Sequence, residues 1–538
     1  MVADQEQTHE PPALHVIILG AGGGPQEHNT TAFLVRAISS GWRKGSVVAV
    51  DAGVHLSAIE RILESCQPPG LGSQVVLPHK LKSGAFAGLE LPHATPAANA
   101  AHVARNLIDT YLITHPHLDH ISGFVINTAG LTGTRPKKLA GLPSTINAFK
   151  NHIFNNIIWP NLSDENNGAG LVTYMRLVEG GSPMGEEGYL EISDGLAVKT
   201  WGVSHGHCIE RHTHRGSVVS HLGNLDVTQK SMSLSMSMSA ASPQMFPVRS
   251  SVAHSGSIGP SSQSYDGYDG SATPVSTCGG GQSVCVYDSC AYFIRDVATS
   301  REVLIFGDVE PDSISLSPRN FNIWQEAAPK VASGKLAAIL IECSYDDSRS
   351  DERLFGHLIP RYLMEELGAL AIQVEFLRKA MQIHNSQSTP NSSLSISQAR
   401  HTSLGAGNDD LSLSPKSQSQ MREMRGPTSN ARSTRTSNGG IDTPHIATPT
   451  AELTLREFGG TDSDMTPPIL HSRESMSEMG LPPGVLQGLK IVVIHVKDRQ
   501  DDQCPIGEVI LSELQEHEKT ARFGCEFILS YAGQSLYL

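Results

Sequence analysis

Aromatic residues make up only 5% of this 538-residue sequence and hydrophobic residues 39%, low values for a length that would ordinarily divide into three or four domains. Most of the deficit falls in two stretches, 216–281 and 384–482, rich in Ser, Met, Gly, Thr and Pro and without apolar periodicity. We read both as coil insertions; the remainder can still bury one large core, so a single folded domain spanning 1–538 is expected. Positive charge is also short: the formal net charge is −14, against the basic stripe of a protein that tracks a polynucleotide. A small anionic substrate stays open, because a metal centre can supply local positive charge. None of the eight cysteines forms C-x-x-C, and several lie in apolar runs where a buried free thiol is the ordinary outcome. No apolar run reaches the roughly eighteen residues of a membrane span. The start, MVADQEQTHEPPALH, is acidic and polar where a signal peptide is basic and then apolar. A cytoplasmic protein, with neither membrane nor nucleic-acid polymer as partner, is the expectation.

What is present is a dense cluster of donors. In LITHPHLDHISG, His115, His117, Asp119 and His120 follow the apolar run Tyr111–Ile113. A buried strand fixes the backbone, and the turn after it lets imidazole and carboxylate groups converge to within about 2.0–2.2 Å of an ion. His115 and His117 alternate around Pro116 and can share a side, while Asp119 and His120 can face a second ion.

Other strands end in polar groups. LHVIILG (14–20) runs into Gly20-Ala21-Gly22-Gly23-Gly24-Pro25, which is not a dinucleotide fingerprint, since Pro25 and then a loop and strand follow where a helix should open. A tight loop approaching a ligand or metal fits better. Ser46–Gly53 is a second strand; a third, Leu196–Val203, leads into Ser204-His205-Gly206-His207. EVLIFGD ends on Asp308, KLAAILIECSYDD carries Glu342, and LKIVVIHVKD carries His495, Lys497 and Asp498. Helices are expected after Ser57, near 96–108, over INAFKNHIFNNII (146–158), from Arg353 to about Ile383, and over GEVILSELQEHEKTA. Strands alternating with helices, polar clusters at strand ends, predict an α/β protein with its site on one edge of its sheets. Singly, His205, Asp308 and His495 would be structural; beside H-x-H-x-D-H they become ligand candidates. His207, His212 and His214 are proton-donor candidates, with His207 taken first. Asn29, Glu342 and Lys497 are substrate-contact candidates, Lys497 as a partner for phosphate.

These residues resemble the metallo-β-lactamase superfamily, and HPHLDHISG resembles the signature of the class II cyclic-nucleotide phosphodiesterases. LGAGGGPQEHNTTAFLV, LPSTINAFKNHIFNNIIWPNLSD, VSHGH, CAYFIRD, LIFGDVEPD, LIECSY and IHVKD occur in that family's order and cover nearly all of the chain outside the insertions. Phe124 and Thr128 depart from the usual pattern without touching a presumed ligand. The resemblance implies an αββα sandwich of two mixed sheets flanked by helices. It implies that His115, His117 and His205 hold one divalent ion, Asp119, His120 and His495 another, and that Asp308 bridges them. Zinc is the default for imidazole-rich donors, with manganese and iron also compatible. The implied reaction opens the 3′ ester of cyclic AMP, or cyclic GMP, by a water activated between two ions, with Asp119 orienting it; the outcome is lowered cyclic-nucleotide signalling. The rival readings are an RNA-processing nuclease of the same fold and a non-catalytic scaffold regulated by phosphorylation. Arg400-His401-Thr402-Ser403 and Arg432–Ser437 look like targets of a basophilic protein kinase, and a homodimer is a further expected association.

Overall fold

The computed structural model describes residues 11–132, 135–209, 284–387 and 480–538. The stretch 216–281, nearly all of 384–482, and His212 and His214 lie outside them. The chain divides into a unit of Met1–Ile383 with Leu470–Leu538 and a second of His384–Ile469, and the fold below is that of the first.

The strands in chain order begin with β1 (Leu14–Gly20), β2 (Ala32–Ala37), β3 (Val47–Ala52), a short hairpin β4 and β5 (His79–Lys80, Glu90–Leu91), β6 (Ile108–Leu112), β7 (Lys137–Gly141) and β8 (Val172–Arg176). They continue with β9 (Leu190–Ser193), β10 (Leu196–Ile209), β11 (Val284–Asp296), β12 (Glu302–Phe306), β13 (Leu336–Glu342), β14 (Lys490–Ile494), β15 (Glu526–Leu529) and β16 (Ser535–Tyr537). Two seven-stranded sheets result, ordered β16-β1-β2-β3-β6-β7-β8 and β15-β14-β13-β12-β11-β10-β9. Both are mixed: β3, β6, β7 and β8 in the first and β12 to β15 in the second run parallel, while β1 to β3 and β9 to β12 run antiparallel.

The strand sequences explain the layering. Along β1, Leu14, Val16 and Ile18 enter the layer between the sheets, while Ile17 and Leu19 enter a layer beneath helices. A strand covered on both faces reads as a continuous apolar run instead of an alternating one. The helices α1 (Leu56–Cys66), α2 (Pro96–His102), α3 (Leu118–Asn127) and α4 (Pro143–Ala148) belong to the first half of the chain. Ala58, Ile59, Leu63, Ala100, Ile121, Phe124 and Ile146 from them share a core with the outer face of the first sheet. The helices α5 (Asn320–Ala332), α6 (Pro360–Gln387) and α7 (Ile506–Ala521) cover the second sheet through Ile323, Trp324, Leu363, Leu367, Ile510 and Leu514. This is the αββα sandwich expected of the metallo-β-lactamase fold. No helix among the described residues is long and apolar enough to cross a membrane.

Some local expectations differ. The helix expected over 146–158 starts earlier, with Pro143 in its first turn, a position where its missing N–H costs nothing. It ends by Ile153, where Asn155 Oδ1 accepts from the Ile157 and Ile158 amides and diverts the chain. The helix expected from Arg353 begins at Pro360 and runs on to Gln387, past the expected start of the second insertion.

Candidate active site

The carboxyl ends of the parallel strands gather at one edge of the sandwich, where open α/β sheets commonly bind ligands. β6 leads to His115 and His117; α3 then starts at Leu118, so Asp119 and His120 stand in its first turn. β12 leads to Asp308 and β14 to His495. His205 does not follow a strand as expected. It lies inside β10, at an irregularity in the pairing between Ser204 and His207 where Gly206 takes φ +75°. That bulge turns one side chain out of the ladder toward the edge.

The side chains meet around Asp308. Its Oδ2 lies 3.6 Å from His115 Nε2, 3.5 Å from His205 Nε2 and 3.2 Å from His495 Nε2, and its Oδ1 lies 3.1 Å from His120 Nε2. His117 Nδ1 is 3.0 Å from His115 Nε2, and Asp119 Oδ2 is 3.6 Å from His495 Nε2. The structure thus brings all seven candidates together in two overlapping groups, His115, His117, His205 with Asp308, and Asp119, His120, His495 with Asp308.

Three of the imidazoles are aimed by their other nitrogen. His120 Nδ1 meets Asp51 Oδ2 at 2.8 Å, His205 Nδ1 donates to the Gly356 carbonyl at 2.8 Å, and His495 Nδ1 meets Thr31 Oγ1 at 2.7 Å. Fixing Nδ1 in this way presents Nε2 inward, the usual outer-layer arrangement of a metal-binding histidine. His120 Nε2, His495 Nε2 and Asp308 Oδ1 are buried with no hydrogen-bond partner. Buried polar atoms left unpaired are costly, so three converging lone-pair carriers are matched to a cation. The imidazole and carboxylate donor set fits divalent ions.

Electrostatics point the same way. Burial, with the neighbouring His120, holds His115 well below the ordinary histidine range. Burial pushes His205 down to about 3 against the pull of Asp308, and holds His495 well below the usual value. These rings are neutral and able to ligate at neutral pH. His120 differs: burial opposes its charge, but Asp308 and Asp51 outweigh burial and hold it well above the ordinary value. Asp308 is held well below the carboxylate range because the surrounding histidines override its burial.

Several functional positions were not among the sequence candidates. Asp51 is fully buried at φ +51° in β3 and accepts from both the amide and the hydroxyl of Thr114, tying the first sheet to the ligand loop. Its place at the end of the second predicted strand was the available signal. His357 stacks on His495 at 5.4 Å between ring centroids and contacts His205 edge-on at 4.8 Å. No local pattern marks it.

The remaining candidates spread differently. Glu342 is fully buried, not at a substrate face. Its carboxylate accepts from the Val309 and Leu358 amides and the Ser344 hydroxyl, and meets His357 Nδ1 at 2.9 Å. Both of its oxygens are thus engaged by the protein's own groups. Asn29 Oδ1 accepts from the Ala21 amide, and Lys497 Nζ donates to the Gly23 carbonyl, so both brace the glycine loop from its two sides. His207 is exposed, two residues beyond the buried His205.

The glycine loop approaches the site as expected. A β-carbon on Gly23 would stand 2.5 Å from both Cδ2 and Nε2 of His495. His495 is itself held at φ +56°, a backbone state that non-glycine residues keep only where surroundings impose it. Gly23→Ala is therefore expected to displace the His495 ring and reduce turnover and metal affinity by about 10–100-fold, the scale for disturbing a ligand's supports. Metal titration of the folded variant reads this, and wild-type affinity would show that the ring has room to move.

Comparison with known proteins agrees with this geometry. The profile of the class-II cAMP phosphodiesterases matches residues 92–388. The 3′,5′-cyclic-nucleotide phosphodiesterase of Schizosaccharomyces pombe is 28% identical over 357 residues, covering 66% of this chain and 75% of that protein. The Candida albicans protein of the same description is 25% identical over 384 residues, covering 66% and 82%. Unliganded yeast PDE1 has a similar fold, with a TM-score of 0.55 at 19% identity over 98% of this chain and all of that one. A donor cluster at the edge of an αββα sandwich and a profile match spanning most of its ligands lead to one assignment: the chain belongs to the class-II cyclic AMP phosphodiesterases.

Proposed function

We propose that this protein hydrolyses 3′,5′-cyclic AMP, and cyclic GMP as a second substrate, to the nucleoside 5′-monophosphate, lowering cyclic-nucleotide signalling. The observation that carries this is the pair of donor groups sharing Asp308. His115, His117, His205 and Asp308 would hold one divalent ion, and Asp119, His120, His495 and Asp308 the other, with zinc as the default. When bound, such a pair supplies Lewis acidity toward phosphoryl oxygens and lowers the pKa of a water held between the ions.

The protein's own groups have separable tasks. Asp119 is the most exposed carboxylate of the cluster, 27% against 3% for Asp308, so it can reach the attacking water and take its proton. As the new P–O bond forms, the bond to the 3′ oxygen breaks in line with it, and that oxygen needs a proton. His357 is suited to give one: its ring packs against His205 and His495 beside the cluster, with Nδ1 2.9 Å from Glu342 and 3.9 Å from Asp308. His207, on the exposed side of β10, is the other donor position. Lys497 and Asn29 act through the glycine loop that they brace, by fixing the wall beside His495.

The test is purified protein assayed with cyclic AMP and cyclic GMP side by side, before and after chelation and with zinc restored. We expect 5′-monophosphate product, loss on chelation and recovery with metal. A metal-replete protein that cleaves RNA and neither cyclic nucleotide would sink the proposal and favour the nuclease reading.

A further inference from the structure

Phe355 is out of place by two independent criteria. It is 67% exposed, so burial does not select an aromatic ring there. Its φ is +53°, a conformation that glycine or asparagine takes far more readily than a bulky residue. Neither packing nor backbone preference accounts for phenylalanine at this position.

Its surroundings place it beside the catalytic edge. The next residue, Gly356, gives the carbonyl that fixes His205, and a β-carbon on Gly356 would lie 2.5 Å from the Gly206 nitrogen. Phe355 is thus one peptide unit, about 3.8 Å from Cα to Cα, from the backbone that packs on a metal-ligand candidate. A row of π-faces and one cation leads outward from His357. The Tyr345 ring lies 6.0 Å from the His357 ring, the Arg349 guanidinium carbon lies 4.5 Å above Tyr345, and the same carbon lies 5.9 Å from the Phe355 ring. Arg349 Nε donates to the Arg353 carbonyl, and no carboxylate pairs with this guanidinium among the described residues. Tyr287 is also exposed, with its ring 6.1 Å from that of His117.

We propose that Phe355, backed by the Arg349 guanidinium, is the platform on which the purine of the cyclic nucleotide stacks while its phosphate occupies the donor cluster. The inference rests on the proposed function for the substrate class and adds where the base is read. Every base has a π-face, and an aromatic ring flanked by a guanidinium that no carboxylate among the described residues neutralises suits a flat heteroaromatic more than a phosphate alone.

Two measurements test it on the full-length protein, with Phe355→Gly as the main variant because glycine accepts φ +53° without strain. In the first, kcat/KM for cyclic AMP is compared with that for ribose 3′,5′-cyclic phosphate carrying no base. The ratio should fall by about tenfold or more in Phe355→Gly, chiefly through KM, and Phe355→Trp should restore it. In the second, the fluorescence of 2-aminopurine riboside 5′-monophosphate should be quenched on binding the wild type and not Phe355→Gly. An unchanged ratio, or equal quenching by both proteins, overturns the platform. Failure of the wild type to hydrolyse any cyclic nucleotide sinks the proposed function instead, and the quenching experiment still decides the stacking.

Discussion

Asp308→Ala is expected to reduce cyclic-nucleotide turnover by at least about 10²–10³-fold, the scale for removing one group that stabilises transition-state charge. Bound metal should fall with it. The size of the effect follows from position: one oxygen faces His120 and the other faces His115, His205 and His495. The other acid of the cluster, Asp119, belongs to one donor group only. Removing Asp308 therefore weakens both ion sites at once, where loss of His117 should weaken one. Metal analysis of the purified variants, beside kcat, separates these cases. Full metal content with normal turnover in Asp308→Ala would overturn the bridging role.

Glu342→Ala is expected to act on stability before it acts on substrate. The carboxylate satisfies two buried amides, a buried hydroxyl and His357, and alanine would leave the Val309 and Leu358 amides without that acceptor, while the Ser344 hydroxyl could still donate to the His495 carbonyl. Leaving a buried donor without its acceptor typically costs about 1–3 kcal/mol. Urea unfolding of the metal-free protein should show that loss directly, and Glu342→Gln, which keeps the shape and one acceptor oxygen, should recover part of it. Surviving Glu342→Ala enzyme should show reduced kcat, because His357 loses its orientation, with KM little changed. Normal stability with a raised KM would return Glu342 to the substrate-contact role first read from the sequence.

The contrast between Glu342 and Asp308 marks where sequence reading succeeds. Both end apolar strands, and the strand-end rule places both correctly along the sandwich. It gives the level of a side chain but not its partners: Glu342 engages two amides, a hydroxyl and His357, while Asp308 lies among the imidazoles of His115, His120, His205 and His495. The H-x-H-x-D-H loop was legible because its donors are neighbours in sequence. The partners that aim those donors were not, since Asp51 lies 69 residues from His120, Gly356 lies 151 from His205, and Thr31 lies 464 from His495. Such pairings exist only once distant stretches of the chain have come together, and the one between Thr31 and His495 only once the two sheets have met. The apolar runs announced their strands because burial on both faces leaves little else in them. The helix after β7 was harder, because one asparagine side chain ends it by a local hydrogen bond that apolar spacing does not register.

The donor set also constrains the order in which the protein can become active. His115, His117, Asp119 and His120 hang from the first sheet, while His205, Asp308 and His495 hang from the second. The final strand, β16, then returns to pair with β1, so the first sheet closes only with the last residues described. A nascent chain presents four donors early, yet lacks the shared carboxylate until Asp308 and the last imidazole until His495. Long-range contacts of this kind form late and slowly, so tight ion capture belongs to the end of folding and not to its start. Ions held by both sets of donors would join the two halves of the sandwich. Resistance to unfolding should thus rise with the concentration of a divalent ion that these donors take.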